Sequence, residues 1–173
     1  MSHTPITADP DLVPVLEERA NHCFGCGPAN PQGLHLNFTV DAKTLVATAT
    51  LELTRVHEGP PGYVHGGIVA TLLDEAMAKL NSPMGVLAVT RHIEIDYMHP
   101  VPLHQPLVVE GHHVDRPATA QGRPGRKLFH RAEIRSQDGT VLTRAKGLFI
   151  VLSAAHLQGT GLPSDVRDSG QPG

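Results

Sequence analysis

His65, Gly66 and Gly67 head a run, Ile68-Val69-Ala70-Thr71-Leu72-Leu73, that ends on an acid, Asp74. The run reads as a helix beginning at His65 and ending near Leu80, where Asn81-Ser82-Pro83 stops it. The first N–H groups of a helix have no partner within it, and they sit at the positive pole of the helix dipole. Two glycines leave those N–H groups sterically open, which suits them to polarise a carbonyl or hold an oxyanion. At about 100° per residue, Asp74 shares a face with Gly67, Ala70, Thr71 and Ala78. Ile68, Val69, Leu72, Leu73, Ala76 and Leu80 form the opposite, apolar face. A lone carboxylate among small residues has room beside it for a ligand or a second subunit, or it serves a structural ion pair. Its neighbour Glu75 lies toward the helix edge, four residues before Lys79, and reads as an exposed ion pair.

These residues need a scaffold. The chain has 173 residues, which suits one domain with one core. It has no Trp, two Tyr and four Phe, so the core must be aliphatic. A net charge of −3 gives no basic footprint for nucleic acid. The twelve histidines are scattered, and His112-His113, adjacent on an expected strand, would point to opposite faces. Cys23 and Cys26 form one Cys-x-x-Cys, which is half of a zinc site. His22 and His35 would have to complete it, so the expectation is no metal and no required disulfide. There is no signal-peptide pattern and no apolar run of membrane-spanning length, which sets the expectation of a cytoplasmic protein that does not engage a membrane.

Three parts are expected: an N-terminal extension, 1–22, with a short helix over 11–21; a folded domain, 23–153; and a flexible tail, 154–173. Residues 34–40 and 44–53 alternate as a hairpin, and 54–64 is a loop punctuated by Gly59, Pro60 and Pro61. Four strands follow the helix, over 87–99, 107–115, 127–136 and 141–152. In the first of these Ile93, Ile95 and Tyr97 share a face, with His92, Glu94 and Asp96 on the other. Two strands, a long helix and four strands without a βαβ repeat indicate an α+β fold with a mostly antiparallel sheet.

The string from Pro61 to Ala76 closely resembles the central helix of hotdog-fold acyl-CoA thioesterases of the PaaI type. The string from Cys23 to Leu34, Cys-Phe-Gly-Cys-Gly-Pro-Ala-Asn-Pro-Gln-Gly-Leu, is similar to the first segment of the subgroup that includes the mammalian thioesterase superfamily proteins. The resemblance implies a hotdog fold, an antiparallel sheet wrapped around a long central helix. It implies hydrolysis of an acyl-CoA thioester, with Asp74 as general base or nucleophile and the Gly66 N–H as oxyanion donor. Thr90, sixteen residues beyond Asp74, is implied to assist the water or the acid; otherwise it is an ordinary strand threonine. His65 is a candidate catalytic residue whose role is to brace the loop. Gly67 and Asn30 are candidate substrate contacts, and Arg123, Arg126 and Lys127 could hold the coenzyme A phosphates. Coenzyme A is then part of the substrate, and no separate cofactor is expected.

Gly66 and Asp74 stand about 12 Å apart along one helix, too far to share one carbonyl carbon. A second helix running antiparallel would bring Asp74 of one chain to Gly66 of another. The resemblance implies the same arrangement, a homodimer or dimer of dimers. Two other readings stay open: a non-catalytic acyl-CoA-binding hotdog protein, and a hotdog enoyl-CoA hydratase.

Overall fold

In the computed structural model the described residues are 21–153. The expected N-terminal helix and C-terminal tail lie outside them. The strands are β1 (Thr39–Asp41), β2 (Val46–Glu52), β3 (Ala88–Tyr97), β4 (Pro106–Asp115), β5 (Lys127–Ser136) and β6 (Val141–Val151). One α-helix, α1 (Gly66–Ala78), lies between β2 and β3 and runs on into a short 3-10 turn, Lys79–Asn81. The strands form one sheet in the order β1-β2-β4-β5-β6-β3, with every pairing antiparallel. This is the expected α+β architecture.

Alternation explains the central strands. In β5, Leu128, His130, Ala132 and Ile134 are buried toward α1, while Lys127 and Arg131 are exposed. The helix returns Val69, Leu72, Leu73, Ala76 and Met77 to the same core. Each such Leu contributes about 1.5–3 kcal/mol on burial. The helix backbone lies almost on the sheet at β4: a Cβ on Gly111 would stand 2.3 Å from the Ala76 carbonyl oxygen. Any side chain there would lift the helix off its bed.

Three local expectations need correction. The first strand is three residues long, not seven. Residues 34–38 form no strand, with His35 at a left-handed φ of 49°, and turn to another partner: the Leu34 and Leu36 N–H groups donate to Phe24 and Gly25 carbonyls at 2.8 Å. The loop over 54–64 contains a 3-10 turn, Arg55–His57, and returns as an isolated bridge from Glu58 to Val64. His65 is the N-cap of α1 rather than its first residue.

Candidate active site

The start of α1 is built by His65. Its Nδ1 accepts the Gly67 N–H at 2.9 Å, which fixes the neutral ring with its proton on Nε2. The His65 carbonyl accepts from Ile68 at 2.9 Å and Val69 at 3.1 Å. The Gly66 N–H thus stays uncommitted among the described residues. Gly66 is exposed, so this donor is open to a ligand. His65 therefore braces the helix end, and the N–H of Gly67 is taken by that cap.

Tyr97 completes this end, and the sequence reading assigned it no role. Its hydroxyl donates to the Gly66 carbonyl at 3.1 Å, and its ring carbon lies 3.8 Å from where a Gly66 Cβ would stand. The signal was its place on the face of Ile93 and Ile95.

Two turns along the helix, Asp74 sits half-buried on the small-residue face with Ala70, Thr71 and Ala78. Thr90 Oγ1 donates to Asp74 Oδ1 at 2.7 Å. Burial pushes the Asp74 carboxyl above its ordinary value; the Thr90 hydroxyl pulls it down, and the neighbouring Glu75 charge pushes it up.

Thr90 reaches the helix because of a β-bulge. Tyr97, Ile95 and Ile93 face inward, so strict alternation would turn residue 91 inward and Thr90 outward. The β3–β6 register slips between Thr90 and His92: Thr90 pairs with Phe149 and His92 with Leu148, leaving Arg91 extra. The bulge resets the phase and puts Thr90 beside the buried Phe149 on the helix side.

The remaining candidates separate. Asn30 is engaged within its own loop, donating to the His22 carbonyl at 3.2 Å and accepting the Gln32 N–H at 3.0 Å. Arg123 and Lys127 are exposed in and after the β4–β5 connection, while Arg126 Nε donates to the Val151 carbonyl at 3.0 Å. Lys127 is in register with Ile150, and Ile150 with Val89, so this basic segment flanks the sheet end that carries Thr90. A shallow depression lined by Glu94, Asp96, Arg131, Glu133, Arg144 and Lys146 lies on the opposite face of the sheet, away from Asp74.

Glu75 is a correction. Its Oε1 does pair with Lys79 Nζ at 3.2 Å, but its side chain is only 13% exposed. The Cys23–Gly27 loop covers it: Cys23 Sγ lies 3.6 Å from Glu75 Oε2. The covering loop lies some fifty residues upstream, so no local pattern showed it.

Residues 61–116, which span the helix and the bulged strand, match the thioesterase superfamily. A crystal structure of a thioesterase superfamily protein superposes with a TM-score of 0.67 at 29% identity, covering 80% of this chain and 69% of that one. The fold of the described residues is the hotdog fold, shared with that thioesterase superfamily structure. Acyl-coenzyme A thioesterase THEM4 of Xenopus laevis is 33% identical over 96 residues, 55% of this chain. The match spans 40% of that relative's own length. A hypothetical thioesterase of Streptococcus pneumoniae TIGR4 with coenzyme A shares the hotdog fold at 20% identity, TM-score 0.58, over 68% of this chain and 87% of its own. Thioesterase structures from the same organism carry either an aspartate or a threonine changed to alanine, at positions sixteen apart.

Proposed function

We propose that this hotdog domain hydrolyses an acyl-CoA thioester to the free acid and coenzyme A. The observation that carries the reading is the bond from Thr90 Oγ1 to Asp74 Oδ1, 2.7 Å, on a helix whose first N–H is uncommitted. Thr90 occupies one carboxylate oxygen and leaves Oδ2 for a water. As general base, Asp74 takes the water proton while the water oxygen adds to the thioester carbonyl. The resulting oxyanion is held by a Gly66 N–H, and its collapse expels the coenzyme A thiolate. In the covalent route Asp74 itself adds to the carbonyl, the C–S bond breaks and the coenzyme A thiolate leaves; water then cleaves the mixed anhydride to the free acid and restores the Asp74 carboxylate. The spacing of Asp74 and Thr90, also sixteen, supports the reading against the two alanine variants of the pneumococcal proteins. The relative named an acyl-CoA thioesterase supports the substrate class.

The proposal includes a homodimer or dimer of dimers of the PaaI type, in which Gly66 of one chain serves Asp74 of the other. Support comes from the 12 Å separation along one helix (approximate) and from β3, an edge strand with Val89 and Tyr97 about half exposed. Arg123 and Lys127 are proposed to meet the nucleotide phosphates, with Arg126 anchoring the segment. No helix among the described residues is long and apolar enough to cross a membrane. Cytoplasmic location belongs to the proposal and rests on the free thiols Cys23 and Cys26.

The test is a panel of short, long and aryl acyl-CoAs followed by free-thiol release. Turnover of at least one, abolished by Asp74→Asn, is expected. Binding without thiol release would favour the non-catalytic reading, and loss of enoyl absorbance without thiol release the hydratase.

A further inference from the structure

Cys23, Cys26 and Glu75 come from two distant parts of the chain and converge. One ligand atom from each, the two Sγ atoms and a carboxylate oxygen, all lie within 4.8 Å of one another. In a tetrahedral zinc site, bonds of about 2.3 Å to sulfur and 2.0–2.2 Å to oxygen put neighbouring ligand atoms roughly 3.5–3.8 Å apart. Cys23 Sγ and Glu75 Oε2 already stand at 3.6 Å. We propose that these three side chains bind a thiophilic divalent cation, zinc foremost, which clamps the Cys23–Gly27 loop to the catalytic helix.

The backbone supports the clamp. A Cβ on Gly27 would lie 2.4 Å from the Cys23 nitrogen and 2.4 Å from the Asn21 carbonyl oxygen. A Cβ on Gly25 would lie 2.5 Å from Glu75 Oε2. Both glycines are thus required for the loop to curl tightly and for its backbone to meet the carboxylate. The curl is held by the Gly27 N–H, which donates to the Cys23 carbonyl at 2.9 Å, and by Asn21 Oδ1, which accepts the Cys23 N–H at 2.9 Å.

Charge also balances. Two thiolates, one carboxylate and a divalent cation leave one negative charge, and Lys79 supplies the opposite one. Its Nζ holds Glu75 Oε1 at 3.2 Å, which leaves Oε2, the oxygen beside Cys23, for the metal. On binding, the cation takes the place of the two thiol protons, which leave to solvent. No fourth His, Cys, Asp or Glu joins the group among the described residues, so water takes the fourth position. His35, one of the two partners the sequence offered, turns its Nε2 to the Asn30 carbonyl instead.

One Cys-x-x-Cys without a second pair argued against metal in the sequence; the third ligand was hidden on α1. The site is separate from the proposed hydrolytic one, and its test does not need turnover. Full-length reduced protein would be stripped with chelator and titrated with Co²⁺, then with Zn²⁺ in competition. About one Co²⁺ per chain with a sulfur-to-cobalt charge-transfer band is expected, displaced by one equivalent of Zn²⁺ and accompanied by a higher Tm. Cys23→Ser and Cys26→Ser should each weaken that band by about half or abolish it. Glu75→Gln should keep the band while weakening zinc affinity tenfold or more. Circular dichroism and melts of each apo variant separate loss of ligand from loss of fold. A stripped wild type that is folded and takes up no cobalt or zinc overturns the proposal. So does a band that survives loss of both cysteines, or a zinc affinity that Glu75→Gln leaves unchanged.

Discussion

Thr90 and Asp74 are joined at 2.7 Å because strand β3 carries one residue, Arg91, more than its partner needs. The bulge re-aims a single hydroxyl from the outer face of the sheet to the helix. It does so at the only point where that hydroxyl meets the one acid on the small-residue face of α1.

Removing the charge of Asp74 tests the pair directly. Asp74→Asn should lower kcat by roughly 10²–10⁴, the range for losing an acid–base group. Melting should be unchanged or slightly higher, since the desolvation cost of a half-buried carboxylate disappears. Thr90→Ala should cost about 10- to 100-fold in kcat, from a hydrogen bond to a charged group of about 1.5–3 kcal/mol. Thr90→Ser keeps the hydroxyl and should recover most of that loss. Steady-state kinetics with the best acyl-CoA decide, and equal losses for Ala and Ser would refute an orienting role for the hydroxyl.

The two residues at the head of α1 should part in their effects. A Cβ at Gly66 meets nothing closer than Tyr97 at 3.8 Å, so Gly66→Ala should fold normally. It crowds the open N–H and should lower kcat/KM at least tenfold. His65→Ala loses the cap on Gly67 and should cost about 0.5–2 kcal/mol of stability. Urea melts beside kinetics would show whether activity and stability separate in this way.

Tyr97→Phe removes the hydroxyl that holds the Gly66 carbonyl and keeps the ring. We expect a stability loss of about 0.5–1.5 kcal/mol and a fall in kcat of a few-fold, with KM little changed. A variant indistinguishable from wild type in both would remove Tyr97 from the site's support.

Acid should weaken the fold through His130, which is buried against Phe149, bonded to Asn81 at 3.2 Å and to His113 at 3.2 Å. Burial, then the His113 charge, pushes its pKa from 6.5 down to about 4. Between those values the unfolded chain binds a proton that the folded chain refuses, so stability rises with pH across this window. The contribution is complete above about pH 6.5 and is lost as pH falls toward 4, by up to about 3 kcal/mol at 1.36 kcal/mol per unit. His130→Gln should flatten the dependence of the urea midpoint between pH 7 and 4. A wild-type midpoint that does not move over that range would contradict the assignment.

The helix, β4, β5 and β6 were legible because a period of 3.6 or of 2 marks which residues meet the core. Where two distant segments compete for the same backbone groups, the pattern misleads. Residues 34–38 alternate like a strand, yet Leu34 and Leu36 pair with the Cys loop. Asp74 was legible as an acid among small residues, and Gly66 as an open helix end. The inward turn of Thr90 was invisible to alternation, which a bulge by definition breaks; only the resemblance pointed to it. Glu75 looked like a surface partner of Lys79, since nothing within a helical turn reveals a lid contributed by residues 23–27.

The order of the strands also governs when the site can exist. Among the described residues, strand β3, which bears Thr90 and Tyr97, pairs only with β6, the last of the six strands in sequence. During synthesis α1 and β3 leave the ribosome before β4, β5 and β6. Until residues 141–151 emerge, β3 presents a bare edge ten residues long. The Asp74–Thr90 pair therefore lacks the strand that supports it until β6 emerges, and a chain cut short before β6 is expected to keep both residues and hold them less firmly together.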